Sequence, residues 1–231
     1  NWLNIIQNKC FPPRCILCGA PGMDNLDLCL ACFADLPQNR NCCQVCGLSL
    51  NFPDEHPVFC GRCLMSPPDF DQAVIPYLYD QTIPFIVTQL KYHQGLHHAR
   101  LMALLMLKVL QTRKDPLPQL LIPVPLHPRR YRERGFNQAL EIARHLSTPL
   151  KIELAYHQCV RTRDTPHQTS LNAVERQKNL RQAFSVIKPL HVNSVAILDD
   201  VVTTGTTANA LAKAIKTQGI ASVEIWAFAR A

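Results

Sequence analysis

The chain has 231 residues, of which 47% are hydrophobic and 18% are charged, as is typical of a globular protein. This length accommodates one complete α/β domain with a small appendage. Since no apolar run approaches the roughly 20 residues that a transmembrane helix requires, and no signal-peptide pattern is present, the sequence argues against a membrane-embedded or secreted protein.

The positive charge is unevenly distributed along the chain. The formal net charge is +7, and residues 126–181 hold 11 Arg and Lys side chains against five Asp and Glu, whereas residues 1–70 hold four against six. A basic segment of this kind favours a polyanionic ligand, such as a pyrophosphate compound or a nucleic acid. The slightly acidic N-terminal part is a poorer candidate for direct contact with DNA.

The N-terminal part is rich in cysteine. Ten of the 11 cysteines precede residue 64, and eight of them form four Cys-x-x-Cys pairs. Thiolates two residues apart on a tight turn can reach one tetrahedral ion. The intervals between the pairs predict two four-cysteine zinc sites in series, one formed by Cys15, Cys18, Cys29 and Cys32 and the other by Cys43, Cys46, Cys60 and Cys63. The folding free energy of so small a module would come largely from the metal.

Spacing alone leaves other arrangements open. The first and third pairs could share one metal, Cys42 could act as a ligand in the second site, and a disulfide framework would also use paired cysteines. The lack of a secretion signal favours zinc over disulfides. Cys159 stands alone in an apolar context and is predicted to be a packed thiol rather than a nucleophile.

A second domain is predicted to follow the Ser-Pro-Pro-Asp sequence at residues 66–69, which has the composition of a hinge. We therefore divide the chain into a zinc-binding module, residues 1–68, and an α/β domain, residues 69–231. Apolar spacing predicts one strand and then two helices at the start of this domain: residues 73–79, 84–92 and 97–110. Three histidines around the loop between these helices are expected to be solvated and to bind no metal: His93, His97 and His98.

Residues 120–124 form the next predicted strand, and a predicted loop over residues 129–138 separates it from a helix at 139–146. Four arginines fall within six positions of this loop: Arg129, Arg130, Arg132 and Arg134. Because a guanidinium group can donate two parallel hydrogen bonds to phosphate oxygens, the loop is a candidate site for a pyrophosphate or a nucleic-acid backbone.

A further predicted strand, residues 154–161, leads into a polar connection that extends to about residue 180. A long polar connection in a compact domain is more often a mobile functional loop than filler, and this one could close over a ligand. It adds three arginines to the candidate anion site: Arg161, Arg163 and Arg176.

The stretch from Val195 to Thr207 carries the strongest signal. A strand is predicted over residues 193–198, Asp199 and Asp200 begin the connection after it, and a hydroxyl-rich turn follows. A helix is predicted over residues 208–218 before a last strand at 222–229. Open α/β sheets bind ligands at such junctions. A glycine in the turn and the start of a helix favour binding of a phosphate by the residues of the turn: Thr203, Thr204, Gly205, Thr206 and Thr207.

The sequence Asp-Asp-Val-Val-Thr-Thr-Gly-Thr-Thr at residues 199–207 resembles the phosphoribosyl pyrophosphate (PRPP) loop of type I phosphoribosyltransferases. The resemblance implies that Asp199 and Asp200 bind the ribose hydroxyls and that residues 203–207 hold the 5-phosphate. It also implies that Mg²⁺ is held mainly by the ligand's own pyrophosphate and hydroxyls, while the arginines stabilise the pyrophosphate.

Three further motifs follow the cysteine pairs in order: Pro-Val-Pro-Leu-His at 123–127, Arg-Gly-Phe-Asn-Gln at 134–138 and Arg-x-Arg-x-Thr-x-x-Gln at 161–168. Together with the PRPP loop they make nearly the whole chain resemble the ComF (ComFC) family of competence proteins. The resemblance implies a type I phosphoribosyltransferase-like fold, that is, an α/β domain with a mostly parallel sheet flanked by helices, behind a small zinc ribbon. It further implies a cytoplasmic location and a role in handling incoming single-stranded DNA during natural transformation.

These motifs support PRPP binding more directly than turnover. Thr203 stands where purine-salvage relatives carry an acidic residue, and a threonine cannot accept a proton from a purine at neutral pH; nor is there an identifiable set of residues that would read a nucleobase. The favoured hypothesis is a PRPP-binding factor that handles single-stranded DNA. The alternatives are an active Mg²⁺-dependent phosphoribosyltransferase of unknown acceptor and an adaptor whose zinc module docks a helicase or another DNA-processing protein.

Overall fold

The computed structural model describes residues 12–23, 25–50, 58–92, 95–162 and 183–231. Within these ranges we number the helices α1 to α7 and the strands β1 to β8 in chain order. The helices are Leu30–Ala34, Gly61–Met65, Ile83–Tyr92, Leu96–Leu110, Pro128–Arg134, Gln138–Leu150 and Thr206–Lys216. The strands are Gln72–Val74, Tyr77–Leu78, Leu120–Pro123, Glu153–Leu154, Cys159–Arg161, Phe184–Val186, Ser194–Val202 and Ser222–Arg230.

A parallel sheet forms the centre of the α/β part. Its strand order is β1-β8-β7-β3-β4, and β2 also pairs with β8. All of these pairings are parallel. Since a parallel sheet is covered on both faces, its strands are continuously apolar, as in Val195–Leu198 of β7, where every residue is buried. The predicted α/β fold with a parallel sheet flanked by helices is confirmed.

Helices cover both faces of the sheet. One face packs against α3, α4 and α6, and the buried cluster there includes Leu105, Ile142 and Leu198. The other face packs against α7, and its cluster includes Ile197 and Leu211. Side chains alternate along β7, so consecutive residues of this strand belong to opposite faces of the sheet.

Three predicted elements were wrong: each of two predicted strands is divided into two shorter strands, and one predicted loop is a helix. Residues 73–79 hold two short strands, β1 and β2, which both pair with β8 on either side of Ile75 and Pro76. Residues 154–161 are divided between β4 and β5, and β5 pairs antiparallel with β6 in a separate two-stranded sheet. The arginine-rich stretch forms α5, because His127 Nδ1 accepts from the N–H of Arg129 at 3.3 Å and Gly135, with φ 78°, ends the helix.

The strand that carries the aspartate pair is longer than predicted. β7 continues through Asp199 and Asp200 to Val202, since β8 pairs with it over this whole length and Val202 lies opposite Arg230. The two carboxylates therefore belong to the end of a strand rather than to the turn after it. Their backbone is held by the sheet, which gives the side chains a defined position.

The expectation that the histidines are solvated was wrong for His98. Only 4% of His98 is exposed, and burial lowers the pKa of its imidazole. Its Nδ1 lies 3.2 Å from the carbonyl oxygen of Gly95, which helps to satisfy the buried ring. His97 is exposed as expected, and His93 lies outside the described residues.

The cysteine-rich module packs directly on the α/β part. Leu26, Leu28 and Leu36 belong to the same buried cluster as the inner residues of α4. Arg100 of α4 donates to Asp27 at 3.1 Å, and the buried Asn39 donates to the carbonyl oxygens of Gly47 and Ile75. The module is thus an integral part of the packed structure, and the division at residue 68 stays a proposal. No helix within the described ranges is long and apolar enough to cross a membrane.

Candidate functional site

A cleft of about 270 Å³ opens at the carboxyl ends of β3 and β7. This is the edge of a parallel sheet at which ligands bind in open α/β folds. The sequence-predicted residues that line it come from β7, the turn after it, the start of α7, α5 and β5: Asp199, Asp200, Thr203, Thr207, Arg130, Arg134 and Arg161. Thr204, Gly205 and Thr206 line instead a neighbouring cavity of about 400 Å³ between the turn and the zinc module. Residues far apart in the sequence therefore meet in one cleft that is rich in both carboxylate and guanidinium groups.

The aspartate pair is held by backbone amides and by one lysine. Asp199 Oδ1 accepts from the N–H of Asp200 at 2.9 Å, and Asp200 Oδ1 accepts from the N–H of Val201 at 2.8 Å. Asp200 is 7% exposed, and its Oδ2 lies 2.8 Å from Nζ of Lys91 on α3. Burial, together with the negative charge of Asp200, raises the pKa of Asp199 well above its usual range, although the cation of Lys91 partly opposes this. Without a ligand, the cleft thus favours the neutral form of Asp199.

The turn between β7 and α7 has the shape of an anion-binding loop. Gly205 has φ +76°, a left-handed conformation that favours glycine, and α7 begins at Thr206 without a side-chain cap. The Thr204 and Thr206 hydroxyl oxygens lie 2.6 Å apart. Within the described ranges, the N–H groups of Thr204 and Gly205 donate to no protein acceptor. Uncapped amides at the start of a helix attract a phosphate.

The structure divides the predicted arginines into two groups. Arg130, Arg134 and Arg161 line the cleft. Arg129 and Arg132 are exposed on the outer side of α5, where Arg129 pairs with Glu133 at 3.0 Å. Arg163 and Arg176 lie outside the described residues, as does most of the polar connection that was predicted to be mobile.

Two residues of the cleft were missed by the sequence analysis. Lys91 gave no motif signal, since it stands at the end of an ordinary amphipathic helix. Gln138 belongs to the Arg-Gly-Phe-Asn-Gln motif, which was the available signal for it. Gln138 is 3% exposed, its Oε1 accepts from Arg134 at 3.1 Å, and its Nε2 has no hydrogen-bond partner. A buried amide donor that lines a cleft without a partner is suited to a ligand oxygen.

Its neighbour Asn137 explains why this donor is well placed. The Asn137 side chain caps α6 by accepting from the N–H of Leu140 at 3.4 Å, and its Nδ2 donates to the carbonyl oxygen of Val124 at 3.0 Å. These bonds attach the start of α6 to the end of β3. Arg134 and Gln138 are therefore held at a fixed position beside the aspartate pair.

The cysteine pairs form two clusters in series, as the spacing predicted, and the crossed arrangement is excluded. Each cluster brings four sulfur atoms within 4.8 Å of one another: Cys15, Cys18, Cys29 and Cys32 in one, and Cys43, Cys46, Cys60 and Cys63 in the other. Cys42 belongs to neither cluster, and the cysteines in the described ranges form no disulfide. Cys159 is buried, as expected for a packed thiol, and burial raises its pKa to about 12.

Both clusters fit zinc. A tetrahedral ion with Zn–S bonds of about 2.3 Å places its sulfur ligands roughly 3.8 Å apart. The sulfur atoms of Cys18 and Cys29 are 3.6 Å apart, and those of Cys46 and Cys60 are also 3.6 Å apart. Although burial disfavours its thiolate, backbone N–H groups lower the pKa of Cys15, whereas hydrogen bonds with neighbouring thiols raise the pKa of Cys32 in the same cluster. Binding of a metal would therefore release protons from the cluster.

The N-terminal module has two four-cysteine clusters, and the parallel α/β domain has a carboxylate pair and an uncapped anion loop at the end of a central strand. These features together define the class of protein: a double zinc ribbon with a phosphoribosyltransferase-like domain. Residues 6–64 match the family described as "Double zinc ribbon domain". The whole chain belongs to the YhgH/ComF family.

Two curated relatives show this membership. The chain is 34% identical over 225 residues to "DNA utilization protein YhgH" of Salmonella typhi, an alignment that covers 95% of this chain and 97% of the relative. It is 32% identical over 226 residues to "Competence protein F" of Haemophilus influenzae, with 94% of this chain and 97% of the relative covered. The protein is thus a homologue of DNA utilization and competence proteins.

Two solved phosphoribosyltransferases resemble part of this chain at low sequence identity. A purine phosphoribosyltransferase from Pyrococcus horikoshii Ot3 aligns with a TM-score of 0.34 and 17% identity, over 59% of this chain and 82% of that one. A hypoxanthine phosphoribosyltransferase from Staphylococcus aureus aligns with a TM-score of 0.34 and 14% identity, over 57% of this chain and 62% of that one. The assignment of the fold rests on the sheet topology and the family rather than on these alignments.

Proposed function

We propose that the protein is a cytoplasmic PRPP-binding competence factor that handles incoming single-stranded DNA during natural transformation. One observation carries the proposal: a carboxylate pair, three arginines and two residues of the anion-binding turn, Thr203 and Thr207, line a single cleft. PRPP has a matching set of groups, namely ribose hydroxyls, a 5-phosphate and a pyrophosphate. The three parts of the ligand therefore correspond to the three parts of the cleft.

Each part of the cleft has a role in this proposal. Asp199 and Asp200 accept hydrogen bonds from the ribose hydroxyls, and residues 203–207 hold the 5-phosphate through backbone N–H groups and threonine hydroxyls. The pyrophosphate lies against Arg130, Arg134 and Arg161, where the unpartnered Nε2 of Gln138 adds a neutral donor. Mg²⁺ would be held mainly by pyrophosphate oxygens, since this ion keeps several waters and needs few protein ligands.

The DNA-handling part of the proposal rests on the outer side of α5. Arg129 and Arg132 are exposed there, and 49% of Tyr131 between them is exposed. Close by, the guanidinium group of Arg134 lies 5.8 Å from the ring centroid of Tyr92, which is 67% exposed. Basic side chains interleaved with exposed aromatic rings suit a single strand, since the cations contact phosphates while bases stack on the rings. Relatives that are named as a DNA utilization protein and a competence protein also support a role with DNA.

An adaptor role is a second candidate. The zinc module exposes large apolar side chains on its two short helices, with exposed fractions of 71% for Leu30, 67% for Leu64 and 88% for Met65. Exposed apolar residues on a small module favour contact with another protein, such as a helicase or another DNA-processing protein. This role is compatible with PRPP binding and does not require catalysis.

Calorimetric titration with PRPP and Mg²⁺ tests the main proposal. We expect the wild-type protein to bind and Asp200→Asn to bind at least about tenfold more weakly, because a charged acceptor for a ribose hydroxyl is removed. Asp115→Asn, a change at an exposed position away from the cleft, should bind as wild type does. Lack of wild-type binding at millimolar PRPP would rule out the proposal. Release of pyrophosphate during the titration would instead support the transferase alternative.

Fluorescence anisotropy with a labelled single-stranded oligonucleotide tests the DNA part. Affinity should fall as salt rises, since binding to phosphates releases counterions. The double variant Arg129→Gln/Arg132→Gln should reduce the slope of log affinity against log salt by about 0.7 for each phosphate that the protein no longer neutralises. Arg40→Gln, in the zinc module, is the matched control. Affinity that does not depend on salt would contradict DNA handling by this surface.

A further inference from the structure

Two arginines donate hydrogen bonds to backbone carbonyl oxygens at the turn between β7 and α7. Arg230, at the end of β8, donates from Nη1 to the carbonyl oxygens of Val202, at 3.1 Å, and of Thr203. Arg62 donates from Nη1 to the carbonyl oxygen of Thr204 at 3.0 Å. Arg230 belongs to the sheet, whereas Arg62 belongs to the zinc module and is 142 residues distant in sequence from its acceptor.

These two contacts determine where the amides of the turn point. In a trans peptide the C=O of one residue and the N–H of the next point in opposite directions, and the described residues contain no cis peptide. Since the carbonyls of Thr203 and Thr204 face the arginines, the N–H groups of Thr204 and Gly205 face away from them. These are the two amides that donate to no protein acceptor in the described ranges. The arginines thus orient the donors that a phosphate would use.

The position of Arg62 depends on the second cysteine cluster. Arg62 lies in α2, between Cys60, which caps this helix, and Cys63. Cys60 Sγ accepts from the N–H of Cys63 at 3.5 Å, and Cys43 Sγ accepts from the N–H of Cys60 at 3.3 Å. A five-residue helix has little stability of its own, so a metal bound by Cys60 and Cys63 would determine its orientation.

A second contact joins the segment that follows α2 to α7, the helix after the turn. The N–H of Asp69 donates to Asn209 Oδ1 at 2.6 Å, and Asn209 Nδ2 donates to Asp69 Oδ2 at 3.0 Å. The N–H of Asn209 in turn donates to the carbonyl oxygen of Gly205 at 2.8 Å. Arg62 in the zinc module and Asp69 just after it therefore contact two neighbouring points, Thr204 within the turn and Asn209 in the first turn of α7.

We propose that the second zinc site positions the phosphate loop through Arg62, so that zinc and the 5-phosphate of the ligand bind cooperatively. With Cys43, Cys46, Cys60 and Cys63 holding zinc, α2 would be fixed so that Arg62 lies on the carbonyl of Thr204, and the resulting peptide orientation would aim the Gly205 amide at the phosphate. Coupling of this kind is reciprocal: zinc raises the affinity for the phosphate, and the phosphate raises the affinity for zinc. This inference rests on the proposed binding of a phosphorylated ribose in the cleft.

Titrations with two partial ligands test the inference on the full chain. Ribose 5-phosphate reports on the loop, and Mg-pyrophosphate reports on the arginines across the cleft. Arg62→Gln should lower the affinity for ribose 5-phosphate by about three- to tenfold, as expected for removal of one charged hydrogen bond that orients a donor. It should leave the affinity for pyrophosphate and the content of two zinc ions unchanged. Arg40→Gln, an exposed arginine of the same module that bonds to Gln38, should change neither affinity.

Release of zinc to a chelating dye supplies a readout that a merely structural role would not change. Ribose 5-phosphate should slow the release of one of the two zinc ions from the wild type and should have no effect on either ion in Arg62→Gln. Unchanged affinity for ribose 5-phosphate in Arg62→Gln, or an equal reduction for both ligands, would overturn the inference alone. If the wild type binds neither ligand, the proposed function fails and this inference fails with it.

Discussion

At the scale of single residues, one buried carboxylate accepts hydrogen bonds from three segments of the α/β part. Glu224 on β8 accepts from Nη1 and Nη2 of Arg113, which follows α4, at 2.7 and 2.8 Å. It also accepts from Trp226 Nε1 at 2.8 Å and from Gln72 Nε2 on β1 at 2.8 Å. Burial opposes ionisation of this group, but the hydrogen bonds outweigh it and hold the pKa of Glu224 below its usual value.

Replacing Arg113 tests how much this network contributes. Arg113→Met leaves a buried carboxylate without its cation and should lower the free energy of unfolding at neutral pH by about 3–5 kcal/mol. Because the folded pKa of Glu224 lies below the unfolded value of about 4.3, the network stabilises the wild type above that pH and loses this contribution as the pH falls through the folded pKa. The difference between variant and wild type should therefore narrow toward about pH 4.

Urea unfolding at both pH values measures this difference. The control is Arg144→Met, which removes an exposed arginine whose partner Glu141 lies 3.1 Å away on the same helix. That change should cost no more than about 0.5 kcal/mol. A loss of stability in Arg113→Met that is the same at both pH values would show that packing, rather than the charge pair, is responsible.

The raised pKa of Asp199 predicts proton release when a ligand fills the cleft. In the protein without ligand, burial and the charge of Asp200 favour the neutral carboxyl group of Asp199 near pH 7. Ribose hydroxyls and Mg²⁺ favour the carboxylate, so binding should release protons, and affinity should rise with pH until Asp199 is already ionised. Calorimetry of PRPP binding at about pH 7, in two buffers of different ionisation enthalpy, measures this release. In Asp199→Asn the measured binding enthalpy should no longer depend on the buffer. If it still does, the released proton does not come from Asp199.

At the scale of residues, local sequence patterns predicted some residues of the candidate site but not others. Asp199, Asp200 and the threonines are consecutive or nearly so, and one strand-turn-helix pattern reveals them together. Lys91 and Arg62 reach the site from distant segments, and nothing in their own neighbourhoods shows where their side chains point. Such contacts depend on how helices pack, which a single sequence does not encode locally.

The turn between β7 and α7 allows a prediction at the scale of elements. Gly205 has φ +76°, and a Cβ there would lie 4.0 Å from the nearest heavy atom, Val202 Cγ1. Backbone conformation rather than space is therefore what requires glycine. Gly205→Ala should lower the free energy of unfolding by about 1–2 kcal/mol and weaken binding of ribose 5-phosphate, while Gly205→Asn should lose less of both, since asparagine tolerates this conformation better.

Thermal unfolding and phosphate titration of both variants check this prediction. Gly61→Ala is the matched control, because Gly61 has no positive φ and a Cβ there would meet no atom within 4 Å. It should be neutral or slightly stabilising, since alanine favours helices over glycine. Equal effects in Gly205→Ala and Gly205→Asn would argue that the turn does not depend on its left-handed residue.

The elements themselves were predicted to different extents. The apolar run of β7 and the amphipathic spacing of α7 are strong local signals, and both elements were found where expected within a few residues. The helix α5 was missed because its many arginines and the glycine at its end suggested a loop, whereas Pro128 and His127 provide a helix start that the sequence analysis did not use. Strand ends were missed where pairing with β8 extends or divides them.

At the scale of the whole molecule, the series arrangement of the two cysteine clusters was predictable from spacing, whereas their integration with the α/β part was not. Leu26, Leu28 and Leu36 join the core beneath α4 only because the module packs there. The consequence is that the zinc module and the sheet share one buried cluster. Disturbing a zinc site should therefore affect the stability of the whole chain rather than that of a detached module.

Two adjacent cysteines provide a matched pair of variants for this last prediction. Cys43 belongs to the second cluster, whereas Cys42 lies outside both, and its burial raises the pKa of its thiol. Cys43→Ser should lose about one zinc ion per chain and lower the Tm of a single cooperative transition, because a ligand and its thiolate are removed. Cys42→Ser should keep both ions and a Tm close to that of the wild type. Zinc analysis with thermal unfolding measures both effects. If Cys42→Ser loses zinc while Cys43→Ser keeps it, Cys42 is the ligand; if the melting of Cys43→Ser separates into two transitions, the module unfolds independently of the sheet.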